Sequence, residues 1–167
     1  MEQTGATVQH VAVYPGSFDP ITLGHVEVAQ RASKLFGRVI LAVAADAEKK
    51  HMFSVDERVD MARRACEDIG NITVDSFEGL VVDYARRCGA QTLIKGLRAV
   101  SDFELEMQMA TMNRQLAPAL DTLYLMAMPQ FTFLSSSLVK HVHKLGGNVS
   151  AFVHPFVLEM LDARNGR

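Results

Sequence analysis

The feature that most restricts this chain is an alternation in which short apolar runs are separated by longer stretches with helical periodicity. That order predicts βαβ units around a parallel sheet, because parallel neighbours can be joined only through a crossover. Five strands are predicted, at Val11 to Tyr14, Val39 to Ala44, Ile72 to Ser76, Thr92 to Lys95 and Thr122 to Met126. The second is apolar at every position from Val39 to Val43, as a strand covered by helices on both faces must be. The fold class read from the chain is therefore α/β, a doubly wound five-stranded parallel sheet of Rossmann-like type with helices at its C-terminal end.

Helices are predicted near Gly24 to Phe36, Asp56 to Ile69, Leu80 to Cys88, Asp102 to Leu116, Ser136 to Leu145 and Pro155 to Ala163. Ser54 with Glu57, and Ser101 with Glu104, have capping-box spacing, in which hydroxyl and carboxylate satisfy free N–H groups at a helix start. Gly146 and Gly147 suit a left-handed stop, and Pro155 a first helical turn. The fourth helix carries two apolar stripes, Leu105, Met109, Met112 and Leu116 on one and Phe103, Met107 and Ala110 on the other. A surface helix needs one, so the second marks either a fully covered core helix or packing against another subunit.

At 167 residues the chain suits one domain over residues 1–167, with about two-thirds of its unfolded surface buried on folding. Its formal net charge of -2, without a basic stripe, argues against nucleic acid as a partner. No apolar run approaches the roughly 20 residues that cross a bilayer, and Met1 to Val8 lacks the basic and apolar regions of a secretory signal, so no membrane and a cytoplasmic address are expected. Cys66 and Cys88, 22 positions apart and without a Cys-x-x-Cys, read as buried thiols. The tail from Arg164 to Arg167 is expected to be mobile.

In a doubly wound sheet, ligands bind beyond the carboxyl ends of the strands, where the strand order reverses. After the first strand, Pro15-Gly16-Ser17-Phe18-Asp19-Pro20 leads to Gly24-His25 at a helix start, whose free N–H groups suit phosphate. After the fourth, Lys95-Gly96-Leu97-Arg98 sets two cations on the same edge. Lys49-Lys50-His51 follows the second strand, and the Phe131 to Ser137 segment (Phe131, Thr132, Phe133, Leu134, Ser135, Ser136, Ser137) enters a helix after the fifth with three hydroxyls that are either phosphate ligands or caps. Four strand-end loops thus bring anion-binding groups to one edge. P-loop and Gly-x-Gly-x-x-Gly patterns are absent, as are His-Glu-x-x-His and Gly-x-Ser-x-Gly, which removes support from zinc and serine hydrolase readings.

Tyr14 to Pro20 with Thr22-Leu23-Gly24-His25 resembles the Thr/His-x-Gly-His signature of the nucleotidyltransferase superfamily. Lys95 to Val100, Asp102-Phe103-Glu104, Met112-Asn113-Arg114 and Ser135 to Lys140 narrow the resemblance to the bacterial phosphopantetheine adenylyltransferase family, over about His10 to Lys140. The resemblance implies transfer of the adenylyl group of ATP to 4'-phosphopantetheine, giving dephospho-coenzyme A and pyrophosphate, with magnesium carried by the nucleotide, a hexameric assembly and restraint by coenzyme A. It implies that Ser17, Phe18, His25, Gly96, Leu97, Arg98, Glu106 and the Phe131 to Ser137 segment hold ATP. Ser17, Lys49, Val81 and Lys95 would hold the acceptor, and His25, Lys49 and Arg98 would act in catalysis. Lys95 stands where the family pattern has arginine, and Ser17 where many members have threonine. Other small nucleotidyltransferases, such as cytidylyltransferases or nicotinamide mononucleotide adenylyltransferases, and a noncatalytic nucleotide-binding regulator are the alternatives.

Overall fold

The structure is a computed structural model describing residues 10–46 and 48–166. The N-terminal stretch read above for a secretory signal, and Arg167, lie outside the described residues. The chain runs β1 (Val11–Gly16), α1 (Leu23–Ser33), β2 (Arg38–Ala44), α2 (Val55–Ala65), β3 (Ile72–Phe77), α3 (Val81–Arg87), β4 (Thr92–Leu97), α4 (Val100–Leu116), β5 (Asp121–Met126), α5 (Ser136–Lys144) and α6 (Pro155–Asn165), with one 3-10 turn at Pro129–Phe131. All five strands are parallel in the order β3-β2-β1-β4-β5, so the order reverses between β1 and β4.

Strand alternation distributes the apolar residues between two faces. On one, Ala12, Tyr14, Val39, Leu41, Val43 and Ile94 pack with α1, α2, α5 and α6. On the other, Val13, Ile40, Ala42 and Leu93 pack with α3 and with Ala117 and Leu120. Val39 to Val43 are all buried, as expected of a strand covered on both sides. The pairing of β1 with β4 covers only Ala12 with Thr92 and Val13 with Leu93, whereas β4 pairs with β5 over its whole length. Beyond Val13 and Leu93 the two central strands fork, and the fork opens at the carboxyl edge.

The Ser54 box forms, with Ser54 N–H donating to Glu57 Oε2 at 2.7 Å and Glu57 N–H to Ser54 Oγ at 3.2 Å. Ser101 makes no such box: α4 begins at Val100 with Ala99 as its N-cap, placing Ser101 inside the first turn. The reason lies one residue earlier, because Arg98 N–H and its guanidinium both reach the Asp102 carboxylate and wind that turn ahead of Ser101. Gly146 does take the positive-φ stop after α5, at φ 93.

The two-striped helix is not a core helix. Asn113 is its one buried side chain, while Leu105 is 65% and Met112 57% exposed. The tail expectation also needs correction, since α6 extends to Asn165 and Arg164 reaches Glu57 at 2.6 Å. Asn165 donates to the Leu161 carbonyl, and its Nδ2 lies 2.8 Å from Nδ1 of buried His143, itself 2.8 Å from Asp162. Cys66 is buried and Cys88 half-buried, and both are free thiols.

Candidate active site

The fork between β1 and β4 leads into a cleft of about 420 Å³. Its walls come from the turn after β1, the start of α1, the end of β4, α4 and the start of α5. Two glycines make the approach possible. A Cβ on Gly16 would sit 2.9 Å from Phe18 Cζ, and one on Gly96 would sit 3.3 Å from Val28. Phe18 itself holds a left-handed backbone, φ 47, costing about 1–3 kcal/mol for a non-glycine residue. Burial of its ring offsets that strain: it is 3% exposed, edge-on to Tyr14 and to His25 at centroid distances of 5.3 and 5.2 Å.

His25 occupies the third position of α1 and takes over the capping-box role there. Thr22 N–H donates to its Nδ1 at 3.0 Å, so that nitrogen carries a lone pair. The neutral ring's proton therefore sits on Nε2, the nitrogen left for the cleft. Burial, and then the nearby Arg98 charge, lower its pKa to about 4, so the imidazole is neutral at physiological pH.

The cations are held by carboxylates on successive turns of α4. Lys95 Nζ lies 3.0 Å from Glu106, and Arg98 Nε 3.2 Å from Asp102, with Arg98 also donating to the Leu134 carbonyl at 3.2 Å. An incoming phosphate would meet two cations already oriented, and would compete with those carboxylates for them.

The serine run divides its duties. Ser135 Oγ accepts from Leu138 N–H as the cap of α5, and the Ser136 hydroxyl donates to the Pro20 carbonyl at 2.7 Å. Anion contact would fall to the first-turn N–H groups of α5 and to Ser137.

The predicted residues Ser17, Phe18, His25, Lys49, Lys95, Gly96, Arg98, Glu106, Phe131, Leu134, Ser135, Ser136 and Ser137 all line this cleft. Four do not. Leu97 is buried, and Val81 packs beside the α3 core. Thr132 bonds the Pro129 carbonyl, and Phe133 packs against Phe152.

Two structural residues were missed. Asp19, quoted in the first loop but given no role, is 4% exposed and accepts from Met52 N–H at 3.0 Å, from Phe53 N–H at 2.9 Å and from Lys140 at 2.6 Å. Burial alone would raise its pKa, but Lys140 and those two N–H groups outweigh it and hold the carboxyl below the ordinary range. Arg58 is 1% exposed and donates to the carbonyls of Phe53, Ser17 and Ala44. Its signal was the i, i+3, i+4 placement of Arg58, Met61 and Ala62, which puts the arginine on the apolar stripe.

Residues 13–142 match the Cytidylyltransferase-like family. The phosphopantetheine adenylyltransferase of Thioalkalivibrio sulfidiphilus is 51% identical over 159 residues, covering 95% of this chain and 100% of that one. That of Alkaliphilus metalliredigens is 50% identical over 155 residues, covering 93% and 99%. Among solved structures, the Plasmodium falciparum nicotinic acid mononucleotide adenylyltransferase complexed with NaAD superposes with a TM-score of 0.71 at 14% identity, covering 94% of this chain and 96% of that one, a likeness of fold.

Proposed function

Since the chain belongs to the Cytidylyltransferase-like family and, within it, to the phosphopantetheine adenylyltransferases, we propose that its forked cleft is where ATP and 4'-phosphopantetheine meet. The enzyme transfers the adenylyl group of ATP to the acceptor phosphate in coenzyme A biosynthesis, giving dephospho-coenzyme A and pyrophosphate. An acceptor phosphate oxygen forms the new bond to the α-phosphorus as the bond to the bridging oxygen of pyrophosphate breaks. The acceptor phosphate is a competent nucleophile near neutral pH, so no protein nucleophile is required, and the barrier is repulsion between two anions. Catalysis is then positioning and charge stabilisation.

Ser17 and Lys49 aim the acceptor phosphate, with the ammonium of Lys95 behind it. Lys95 supplies a point charge in place of a two-pronged grip. His25 donates from Nε2 to α-phosphate oxygens as negative charge grows there. Arg98 and the N–H groups at the start of α5 receive the departing pyrophosphate, and Gly96 and Glu106 border the nucleotide. Val81 begins the helix after β3, two strands from the fork, and the far end of the pantetheine arm would have to extend along the sheet edge to reach it. Magnesium would accompany ATP and offset phosphate charge beside Lys95 and Arg98. Among the described residues no group of three His, Cys, Asp or Glu stands close enough to hold an ion of its own.

The assembly proposed is a hexamer built on α4, whose apolar residues are exposed along both stripes, with coenzyme A as feedback ligand and the cytoplasm as location. Among the described residues no helix is long and apolar enough to cross a membrane.

The observation that carries this reading is the Thr22 N–H to His25 Nδ1 bond, which turns a neutral imidazole into a donor facing the fork. The decisive experiment incubates the protein with MgATP and a panel of phosphorylated acceptors, identifying products by mass spectrometry. Dephospho-coenzyme A and pyrophosphate are expected. Product with nicotinamide mononucleotide in place of phosphopantetheine would move the chain to another branch of the family, and nucleotide binding without pyrophosphate release from any acceptor would leave it a regulator.

A further inference from the structure

Arg58 is a guanidinium buried to 1% exposure, and among the described residues it forms no salt bridge. Asp19, in the turn that Arg58 reaches, is engaged with Met52, Phe53 and Lys140. Arginine stays charged, and burying a charge costs several kcal/mol unless its partners are well placed. Its partners here are three backbone carbonyls. Nη1 donates to Ser17 O at 2.7 Å and to Ala44 O at 2.9 Å, and Nε donates to Phe53 O at 3.2 Å.

The identity of those carbonyls is informative. Ala44 ends β2 and Phe53 stands two residues before α2, so one side chain pins both ends of the loop that carries Lys49. The nitrogen that holds Ala44 also holds Ser17, in the turn after β1. Asp19, from that same turn, grips the loop's far end through Met52 and Phe53 N–H. Arg58 thus joins the Ser17 turn to both ends of the Lys49 loop, although it is not among the residues lining the cleft. One side chain that satisfies carbonyls from three separate segments ties those segments to one another.

We propose that Arg58 is a positioning residue for the acceptor phosphate, holding the Ser17 and Lys49 loops at the spacing that in-line transfer needs. The proposal rests on the reading that Ser17 and Lys49 hold phosphopantetheine. ATP, held also by the end of β4 and the start of α5, depends on Arg58 much less.

The test compares the parent protein with Arg58→Lys and Arg58→Met, and with Val59→Ala, a neighbour on α2 that packs in the core and is 8% exposed. A lysine keeps the charge but lacks the planar fork that reaches three acceptors. Steady-state kinetics with each substrate varied should show kcat/KM for phosphopantetheine reduced about a hundredfold in Arg58→Lys, the cost of a misplacement near 1 Å. The KM for ATP should stay within about threefold, and Val59→Ala, even with a comparable fall in melting temperature, should disturb neither substrate selectively. Equal effects on both substrates in Arg58→Lys, or the same selective pattern in Val59→Ala, overturn the proposal. Should neither Arg58 variant fold, hydrogen exchange of the parent decides. Slow exchange of the Arg58 Nε–H and Nη1–H protons before any ligand is added fits a guanidinium already holding the Phe53, Ser17 and Ala44 carbonyls, and exchange there at free-guanidinium rates refutes it. A parent that turns over no phosphopantetheine fails at the earlier reading instead.

Discussion

Replacing His25 separates two duties that the structure assigns to the two ring nitrogens. Nδ1 closes the start of α1 by accepting Thr22 N–H, and Nε2 is the donor offered to the cleft. His25→Ala removes both. Loss of the donor costs about 2.7 to 4 kcal/mol of transition-state stabilisation, or roughly a hundred- to thousandfold in kcat. Loss of the cap adds about 0.5–2 kcal/mol to the destabilisation of the fold. His25→Asn sets its amide near the Nδ1 position and can keep the cap, while His25→Gln reaches the Nε2 position and can keep the donor. Melting temperature should therefore favour Asn over Gln, and turnover should favour Gln over Asn, two opposite orders from one pair of variants. Pyrophosphate release measured at saturating ATP, beside thermal melts, reads both. The pH profile adds a separate test. With a folded pKa of about 4, His25 is uncharged throughout the neutral range. kcat/KM should then show no loss from His25 deprotonation as pH rises through about 6.5, the ordinary histidine value. A rate that fell with that titration, or His25→Asn as active as His25→Gln, would refute the donor assignment.

Gly16→Ala should destabilise the fold by about 1–3 kcal/mol, because the new methyl meets the Phe18 ring at 2.9 Å, and calorimetry should show Tm lowered by about 2–4 °C per kcal/mol. Asp19→Asn should lower Tm at neutral pH. The depressed folded pKa of Asp19 makes its contribution present above its unfolded value of about 3.9 and lost as pH falls through the folded value, so the gap between parent and variant should close in acid. Met109→Lys with Leu105→Glu, both on exposed α4 stripe positions, should shift sedimentation from the proposed hexamer to smaller species, and an unchanged sedimentation coefficient would refute an assembly built on α4.

Among the described residues the five strands and six α-helices were legible in the chain, from the unbroken Val39 to Val43 run to the Ser54 and Glu57 box, while the 3-10 turn at Pro129–Phe131 was not. So was the meeting of Ser17, His25, Lys49 and Arg98, since the switch point of a doubly wound sheet gathers those loops by topology. What escaped were long-range side-chain to backbone bonds. Arg58 sits in a stretch crowded with charge, Val55-Asp56-Glu57-Arg58-Val59-Asp60, where a solvated side chain is the ordinary expectation. Its acceptors at Ser17 and Ala44 are distant in sequence and carry no residue signature. The supposed Ser101 cap failed for a local reason, because the Arg98 to Asp102 contact, four residues apart, competes for the first turn of α4. Arg164 and Asn165 looked like a loose end, although Gly166 after them is a left-handed helix stop, and were instead tied to Glu57 and Leu161.

The early parting of β1 from β4 leaves the main chain of β4 past Leu93 without a strand on its β1 side, so peptide groups there face the cleft edge rather than a neighbour. Such groups are the same whatever amino acid carries them. A nucleotide seated at that mouth, as proposed, would meet main-chain amides that substitution can hardly erase. Loops around that mouth are then free to diverge toward new acceptors while the grip on the shared donor molecule persists.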